Sequence, residues 1–486
     1  MGKLLGRLRA TFLVSVCCVG SFLFAYDTGI IGGILTLDSF KQSFRYSEAE
    51  RADIASNSTT FFSCFFAWPF TKKFGRRWSI ALASLIFCIG GIIQVAPTHS
   101  IGAFYAARVI SGVGVGMATV MVPMYSAEMS PKEIRGQLGS LFQFFFTLGV
   151  MTSYWIDYAV EKHVAPSDRQ WQIPIGLQLV PAGILGIGML FLKESVRWLA
   201  SVGRHDEALQ SLIWVRGGEE TEEVRTEMAE ILDGISAEVA ATEGVTWKEL
   251  NLPANRFRIF IAITIQIAAQ CTGNTSLAYY APQIFGAVGT SENDTLLITG
   301  FFGVVKVVAC GTFVLFLVER IGRKWSLAIG AFMMGALMLI VAILAKVFTP
   351  DPTATNISSP TAASIAMIYL EAASYNMSWG PVPWLYMSEI FPTRIREIGI
   401  AVGTATQWLF NFVFSQATPH AVNNMGWRTF LMFCIFNWAI VVYVFLFIRE
   451  TTGKSLEEME DVFNSNIARF RKDEERAADG APTHTQ

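Results

Sequence analysis

Twelve apolar stretches, each long enough to cross a bilayer, recur along this 486-residue chain and restrict it to a bundle of membrane helices. A spanning helix needs about 20 apolar residues, and a helix satisfies its own backbone groups in lipid. The stretches cover residues 11–35, 52–70, 78–96, 101–126, 135–158, 172–192, 257–285, 295–318, 325–348, 361–387, 398–420 and 428–448. Charged residues make up 16% of the chain, whereas soluble proteins carry about 25%. The predicted fold class is an all-α membrane protein with twelve transmembrane helices.

One long hydrophilic segment separates the first six stretches from the last six. Its patterning predicts helices at 205–215 and 221–241, so we expect a helical linker rather than a globular domain. The predicted organisation is a six-helix half at 1–193, the linker at 194–256, a second six-helix half at 257–450 and a tail at 451–486.

Basic residues are distributed unevenly between the two sets of loops. One side collects Lys72, Lys73, Arg76, Arg77, Lys132, Arg135, Lys193, Arg197, Arg320, Arg323, Lys324, Arg394, Arg396 and Arg449, while the other has Lys41, Arg45, Arg51, Lys162 and Arg169. Because cytoplasmic loops carry an excess of Lys and Arg, we expect both termini and the linker to be cytoplasmic.

The seventh stretch becomes polar in its outer half, where residues 266–285 include several amides and hydroxyls. An unpaired polar group in hydrocarbon costs several kcal/mol, so these groups should face water, protein or a polar solute. Gly273 and Pro282 bracket the polar part, and such residues break membrane helices around midplane sites. The alternative is a kinked packing helix whose polar groups bond only neighbouring helices.

Three short signatures occur once in each half and in the same order. Gly75-Arg76-Arg77 returns as Gly322-Arg323-Lys324, the E-x-x-P-x-x-x-R pattern of 128–135 returns at 389–396, and Glu194-Ser195 returns as Glu450-Thr451. Duplicated six-helix halves with a site between them are typical of secondary transporters.

Further motifs identify a family. They are Tyr26-Asp27-Thr28-Gly29, Arg108 followed by Gly112, Gly114 and Gly116, the box that ends at Arg135-Gly136, Glu194-Ser195-Val196-Arg197-Trp198, Tyr279-Tyr280-Ala281-Pro282, Trp379-Gly380-Pro381-Val382-Pro383-Trp384, Gln407-Trp408 and Glu450-Thr451-Thr452-Gly453. With these motifs, nearly the whole chain resembles the sugar porters of the major facilitator superfamily, in particular fungal-type monosaccharide or sugar-acid transporters. The resemblance implies a monomer that imports a hexose or pentose across the plasma membrane by alternating access.

Two charges inside the membrane are expected to couple transport to protons. Asp27 lies about halfway through the first span and Arg108 in the fourth. In the proton-coupled sugar porters that the chain resembles, an aspartate and an arginine at these positions form a pair that protonation breaks. The alternative is a structural ion pair in a facilitator.

The resemblance also implies a set of substrate-binding residues. It consists of Gln143 in span five, Gln270, Asn274 and Thr275 in span seven, Gly380 and Trp384 in span ten, and Gln407 and Asn411 in span eleven. Carboxamides offer a donor and an acceptor to vicinal hydroxyls, and Trp384 can lie against the C–H face of a pyranose. Each amide could instead bond a neighbouring helix.

Span seven departs from the sugar-porter pattern, and span eight contains a cation. The pattern Gln-Gln-x-x-Gly-x-Asn has Ala269 for its first Gln and Thr275 for its Asn, with Asn274 one place earlier. Lys306 lies near the midplane, where it could bind the carboxylate of a sugar acid such as galacturonate or quinate. Alternatively, Glu371 at similar depth neutralises Lys306.

The repeated signatures are expected to form a cytoplasmic gate. Its predicted members are Arg76, Arg77, Glu128, Arg135, Glu194 and Arg197 in one half and Arg323, Glu389, Arg396 and Glu450 in the other. The alternative, an excess of cytoplasmic positive charge, explains the arginines but not the matched glutamates.

Other functional classes receive little support from the sequence. The seven cysteines lie in apolar runs without ligand spacing, and the five histidines form no catalytic constellation. We therefore expect no enzyme activity, no cofactor and no metal, with a sugar or sugar acid, protons and lipid as partners. The net charge of −2 gives no indication of a nucleic-acid partner. A sugar sensor on the same fold is a further alternative. Such sensors tend to have long cytoplasmic tails, whereas the predicted tail of this chain is short.

Overall fold

The computed structural model describes residues 2–45, 70–129, 135–242, 252–290, 292–317, 320–348, 357–391 and 395–451. Within these ranges the chain is helical and contains no β-strand. The helices are α1 Gly2–Ile34, α2 Asp38–Phe44, α3 Arg76–Val95, α4 Ile101–Met129, α5 Arg135–His163, α6 Arg169–Leu177, α7 Leu179–Phe191, α8 Val196–Ser201, α9 His205–Arg216, α10 Glu222–Thr242, α11 Pro253–Cys271, α12 Asn274–Tyr279, α13 Ala281–Ala287, α14 Glu292–Thr312, α15 Arg323–Val347, α16 Ser359–Asn376, α17 Val382–Ile390, α18 Arg396–Met425 and α19 Trp427–Phe447. A π-helical turn, Phe313–Leu317, continues α14.

Eight helical segments of the described chain are long and apolar enough to cross a membrane. They are Thr11–Ile34, Arg76–Val95, Ile101–Met129, Arg169–Phe191, Asp294–Leu317, Arg323–Val347, Ile398–Met425 and Trp427–Phe447. The predicted fifth span corresponds to α5, and the seventh and tenth are interrupted helices. The predicted span 52–70 falls almost entirely outside the described residues. The predicted all-α membrane fold is confirmed.

The seventh span is broken at the two predicted positions. Helix α11 ends at Cys271, and Gly273 follows with a φ of 91°, a left-handed conformation that glycine adopts at little cost. Helix α13 carries Pro282 in its first turn, where the missing N–H has no helical partner to lose. The short helix α12 therefore lies between two breaks. Because the helical register is interrupted at Gly273, the directions of the α12 side chains do not follow from those of α11.

Buried apolar side chains form three cores. The first joins the second half of α1 to side chains of α5, α12, α13, α14, α16 and α19. The second joins the first half of α1 to α3, α4, α7 and the linker helices α8–α10. The third comprises side chains of α11, α15, α17 and the end of α19. We name the side of the bundle where α8–α10 pack the linker side, and the opposite side the far side.

The two halves are packed together at the far side. The hydroxyl of Tyr154 in α5 donates to the carbonyl of Ala278 in α12 at 2.6 Å. A Cβ added to Gly32 of α1 would contact the carbonyl oxygen of Tyr279. On the linker side, in contrast, each half has its own core. This structure is therefore closed at the far side.

The linker is helical, as predicted, over α8, α9 and α10. It also contacts the start of α1, because Arg9 Nη1 donates to the Trp214 carbonyl at 2.9 Å and its guanidinium stacks over the indole ring. The remainder of the linker, 243–251, and the predicted tail after Thr451 lie outside the described residues. The linker thus attaches to the N-terminal half through both charge and packing.

The close approach at Gly32 predicts a trapped state. In Gly32→Leu, the added side chain meets the Tyr279 carbonyl and prevents closure of the far side. Overpacking by about 1–3 kcal/mol lowers the rate of uptake roughly tenfold. A cysteine at Ile284, which is 3% exposed here, should then react with a membrane-impermeant thiol reagent added from the far side.

Gly183→Leu is the matched control, since nothing lies within 4 Å of a Cβ at Gly183. It should transport at the wild-type rate and protect the cysteine at position 284. Equal labelling of that cysteine in both variants would contradict the closed far side.

Candidate functional site

A buried ion pair links two helices of the N-terminal half. Arg108 Nη1 of α4 donates to Asp27 Oδ1 of α1 at 2.7 Å, and the two residues are 5% and 3% exposed. Both residues are predicted from the sequence to form a pair, and they are in contact in the structure. A charge in a membrane helix is expensive unless it is paired, so the two are held together by each other's charge.

A second polar cluster lies at the first break of span seven. Lys306 Nζ of α14 donates to Asn274 Oδ1 at 3.4 Å, and Asn274 Nδ2 donates to Glu371 Oε2 of α16 at 3.2 Å. These three residues are 4%, 2% and 0% exposed. The carboxamide of Asn274 thus connects a buried cation to a buried anion, using its acceptor for one and its donor for the other.

Two predicted amides have buried atoms without hydrogen-bond partners among the described residues, and Gln270 is fully buried whereas Gln407 is half-buried. Neither Gln270 Nε2 nor Gln270 Oε1 has a hydrogen bond, and Gln407 Oε1 also lacks one. Leaving such a group unsatisfied costs about 1–3 kcal/mol. A solute hydroxyl that donates to and accepts from Gln270 would remove this cost.

Other polar groups of span seven bond the neighbouring helix α18. Tyr279 Oη donates to Asn411 Oδ1 at 3.4 Å, Ser276 Oγ and Thr418 Oγ1 lie 2.7 Å apart, and Tyr280 Oη donates to the Ser415 carbonyl at 2.6 Å. These contacts are what the packing alternative expects. Span seven therefore combines helix–helix bonding with the unpaired Gln270.

Gln143 of α5 and Gly380, between α16 and α17, bring the two halves together. A Cβ at Gly380 would lie 3.5 Å from Gln143 Nε2 and 3.5 Å from the Tyr375 ring. Glycine at this position leaves room for the Gln143 amide to approach the C-terminal half. The two residues lie on opposite sides of the interface between the halves.

Two predicted substrate residues are not part of these buried clusters. Trp384 of α17 is 38% exposed, so it is not packed in this far-side-closed state. Thr275 is half-buried, whereas its neighbour Asn274 is fully buried on the Lys306–Glu371 cluster. The one-residue offset noted in the sequence therefore directs the amide of Asn274 toward the charged pair.

The repeated signatures meet at the linker side of the N-terminal half. Arg76 Nη2 donates to Glu128 Oε1 at 2.8 Å, and Glu194 Oε1 accepts from the backbone N–H groups of Arg76 and Arg77 at 2.8 and 3.0 Å. Ser195 Oγ also donates to Glu128. Gly75, with a φ of 84°, turns the chain into α3 so that these N–H groups point at the carboxylate.

The same contacts recur in the C-terminal half. Arg323 Nη2 donates to Glu389 Oε1 at 3.0 Å, Glu450 accepts from the N–H groups of Arg323 and Lys324 at 2.8 and 3.1 Å, and Thr451 Oγ1 donates to Glu389 Oε2 at 2.5 Å. Each of these contacts joins two residues of the same half. Arg197 is exposed, and the side chains of Arg135 and Arg396 lie outside the described residues.

One buried carboxyl group was missed by the sequence analysis. Asp157 of α5 is 0% exposed, although it lies near the end of the predicted fifth span. An acidic residue inside an apolar stretch was the available signal, since such residues are rare and functional. No family motif drew attention to it.

A buried acid–base pair, unsatisfied amides inside a bundle of two six-helix halves, and a network repeated in both halves define a secondary transporter of the major facilitator fold. A model of the family "Sugar (and other) transporter" matches residues 13–463, and the chain belongs to this family.

Curated relatives cover nearly the whole chain. It is 32% identical over 493 residues to a probable quinate permease of Aspergillus fumigatus, covering 96% of this chain and 91% of the relative. It is also 32% identical over 472 residues to a quinate permease of Emericella nidulans, covering 94% and 89%. These relatives are named as transporters, not as enzymes.

Solved structures give the same fold. The proton:xylose symporter XylE bound to 6-bromo-6-deoxy-D-glucose matches with a TM-score of 0.76 and 25% identity, covering 94% of this chain and 100% of that one. The inward open conformation of the xylose transporter XylE from E. coli matches with a TM-score of 0.74 and 25% identity, covering 93% and 99%.

The Lys306–Asn274–Glu371 cluster predicts strong coupling between the two charges. Lys306→Met and Glu371→Gln each leave one buried charge without its counterpart, which costs about 3–5 kcal/mol. Lys306→Met/Glu371→Gln removes both charges, so its apparent melting temperature in detergent should exceed that of either single variant.

The exposed pair Asp38 and Lys41, 3.4 Å apart, provides the control. Its single and double neutral variants should leave the melting temperature unchanged, because surface pairs contribute little. Additive losses at Lys306 and Glu371 would show that the two charges do not act together.

Proposed function

We propose that this protein imports a polyhydroxylated solute, a hexose or pentose, across the plasma membrane by alternating access coupled to a proton. The observation that carries the proposal is the ion pair of Asp27 and Arg108, buried within the membrane-spanning part of the N-terminal half. The proposed units are the halves 1–193 and 257–450, the linker 194–256 and the tail 451–486.

The pair can couple proton and solute movement through one carboxylate. Proton binding to Asp27 removes the negative charge that holds Arg108, so the contact between α1 and α4 loosens. Solute hydroxyls would bond Gln270 and Gln407, whose amides have unused hydrogen-bonding atoms, together with Gln143, Asn411 and Gly380. In this proposal Trp384, 38% exposed here, would cover the solute after a movement of α17. Proton release to the other side restores the pair.

The proposed orientation rests on the distribution of charge between the loops. The linker side carries most of the loop arginines and lysines, which supports cytoplasmic termini. We assign the far side to the exterior and the protein to the plasma membrane. One chain contains both halves, so we infer a functional monomer.

The two networks at the linker side act as a gate in this proposal. Arg76, Arg77, Glu128, Glu194 and Arg197, with Arg135, would meet Arg323, Glu389, Glu450 and Arg396 when the linker side closes. In the far-side-closed structure the observed bonds lie within each half. Separate networks are what an open linker side requires.

A sugar acid is the second candidate substrate. Lys306 is buried at the break of span seven, where its charge could receive a solute carboxylate in place of the Asn274–Glu371 link. The quinate permeases among the relatives support this candidate, since quinate is a polyhydroxylated carboxylate.

Asp27→Asn tests proton coupling. It removes the titratable group but keeps the shape, so accumulation against a gradient should fall at least tenfold, while exchange of labelled for preloaded solute continues. Uptake and external alkalinisation are measured in transporter-null cells. Asp38→Asn, an exposed far-side carboxylate, is the control. Unchanged proton-driven accumulation in Asp27→Asn would exclude this role.

The substrate is identified by uptake of labelled glucose, xylose, galacturonate and quinate at acidic and neutral pH, with and without a protonophore. A sugar-acid porter should take up an acid in a protonophore-sensitive manner and lose it in Lys306→Met/Glu371→Gln, which lacks the cation without leaving a lone charge. Neutral-sugar uptake that survives this double change would assign Lys306 a structural role. A folded, surface-exposed protein with no uptake of any compound would favour the sensor alternative.

A further inference from the structure

Asp157 of α5 is buried like Asp27 and Glu371, and the proposed coupling scheme does not use it. It is 0% exposed, and neither of its oxygens has a hydrogen-bond partner in the described part of the chain. Asp27, in contrast, contacts Arg108 at 2.7 Å. The charge of Asp27 is therefore balanced by a neighbouring cation, whereas a charge on Asp157 would have no partner among the described residues.

Asp157 is packed against α1 at the far side. A Cβ added to Gly33 would overlap its carboxyl group, so glycine at 33 is what makes room for Asp157. Gly33 is six residues beyond Asp27 in α1, or about 9 Å at 1.5 Å per residue. Asp157 thus lies between the ion pair and the far-side surface.

The hydroxyl groups near Asp157 donate their hydrogen bonds to backbone carbonyls and not to its carboxyl group. Tyr26 Oη donates to the Pro174 carbonyl at 2.9 Å, Tyr154 Oη to the Ala278 carbonyl at 2.6 Å, and Ser153 Oγ to the Val150 carbonyl at 2.7 Å. These bonds leave Asp157 without the donors that would stabilise a carboxylate.

Within the described residues, the titratable groups that interact with Asp157 are acidic. They are Tyr26 of α1 and, on α5 itself, Tyr154 and Glu161; Tyr279 of α12 interacts with Tyr154. A carboxylate among them would be unpaired in a low dielectric, which costs several kcal/mol. A bound proton removes that charge.

We propose that Asp157 is a second proton-binding site, which takes up a proton from the far side when that side closes and returns it there when the far side reopens. An O–H bond forms on the carboxylate from a far-side water-borne proton, and the same bond breaks on reopening. The site is adjacent to the contacts that open and close, because Tyr154 bonds Ala278 and Gly32 meets Tyr279 across the halves.

This inference rests on the proposed alternating access but not on Asp27 as the coupling group. The proton on Asp157 returns to its side of origin, so it makes closure dependent on far-side pH without adding to the number of protons transported. The two carboxyl groups are therefore separable by experiment.

Asp157→Asn is the test, because it resembles the protonated form. Each proton that must bind lowers uptake by up to about tenfold per pH unit on the alkaline limb of the profile, so Asp157 adds its own dependence to that of Asp27. In Asp157→Asn the dependence on far-side pH should flatten on this limb, while the ratio of protons to solute stays at the wild-type value. Asp168→Asn, at a partly exposed far-side carboxylate that accepts from Ser43 at 2.6 Å, should keep the wild-type profile.

Solute exchange in the Asp27→Asn background separates this test from the coupling proposal. Any pH dependence left in Asp27→Asn exchange should disappear in Asp27→Asn/Asp157→Asn. An unchanged pH profile in Asp157→Asn, or a lower proton-to-solute ratio, would overturn the inference.

A spectroscopic measurement covers the case in which Asp157→Asn transports poorly. Infrared spectra of purified wild-type protein in the far-side-closed state should contain the C=O stretch of a protonated carboxyl group. The wild-type minus Asp157→Asn difference spectrum should contain that band, and the wild-type minus Asp168→Asn spectrum should not. A wild-type minus Asp157→Asn spectrum without the band would assign the proton to another group, such as the buried Glu371, and overturn the inference.

Discussion

The cost of an unpaired charge or amide in hydrocarbon is the constraint on which this structure depends. The protein meets it in different ways at different depths. Asp27 and Arg108 neutralise each other directly, and Lys306 and Glu371 do so through Asn274. Gln270 leaves its amide unsatisfied. A pair that can be broken, a cation that can change partners and an amide that needs a partner are the groups from which a transport cycle can be built.

The internal repeat places the same set of hydrogen bonds and ion pairs at the linker-side ends of both halves. Gly75 and Gly322, with φ of 84° and 81°, each begin a helix whose first N–H groups bond a glutamate from the end of that half. The arginine after each glycine then contacts a second glutamate. Because these contacts join residues of one half, the halves can move as units without breaking them.

Much of this architecture could be predicted from the sequence, since length, hydropathy and glycine or proline positions act locally. The spans, the linker helices, the break at Gly273 and the contact between Asp27 and Arg108 follow from such signals or from the family motifs. The bridge through Asn274 could not be predicted, because the direction of its side chain depends on a break whose geometry the sequence does not encode. Trp384 belongs to the motif, but its 38% exposure depends on the conformational state. Asp157 was visible as a lone acid, yet only packing reveals that it has no partner.

The far-side core has a thermodynamic consequence. Its aromatic side chains come from both halves, and Phe285 and Phe302 of the C-terminal half pack with ring centroids 5.8 Å apart beside Tyr154 of the N-terminal half. Separating the halves exposes this apolar surface to water in the cavity, so the transition carries a positive heat-capacity change. Apolar burial weakens on cooling, so the far-side contacts contribute a shift toward the state open at that side as temperature falls. A curved Arrhenius plot for transport is the kinetic form of that shift.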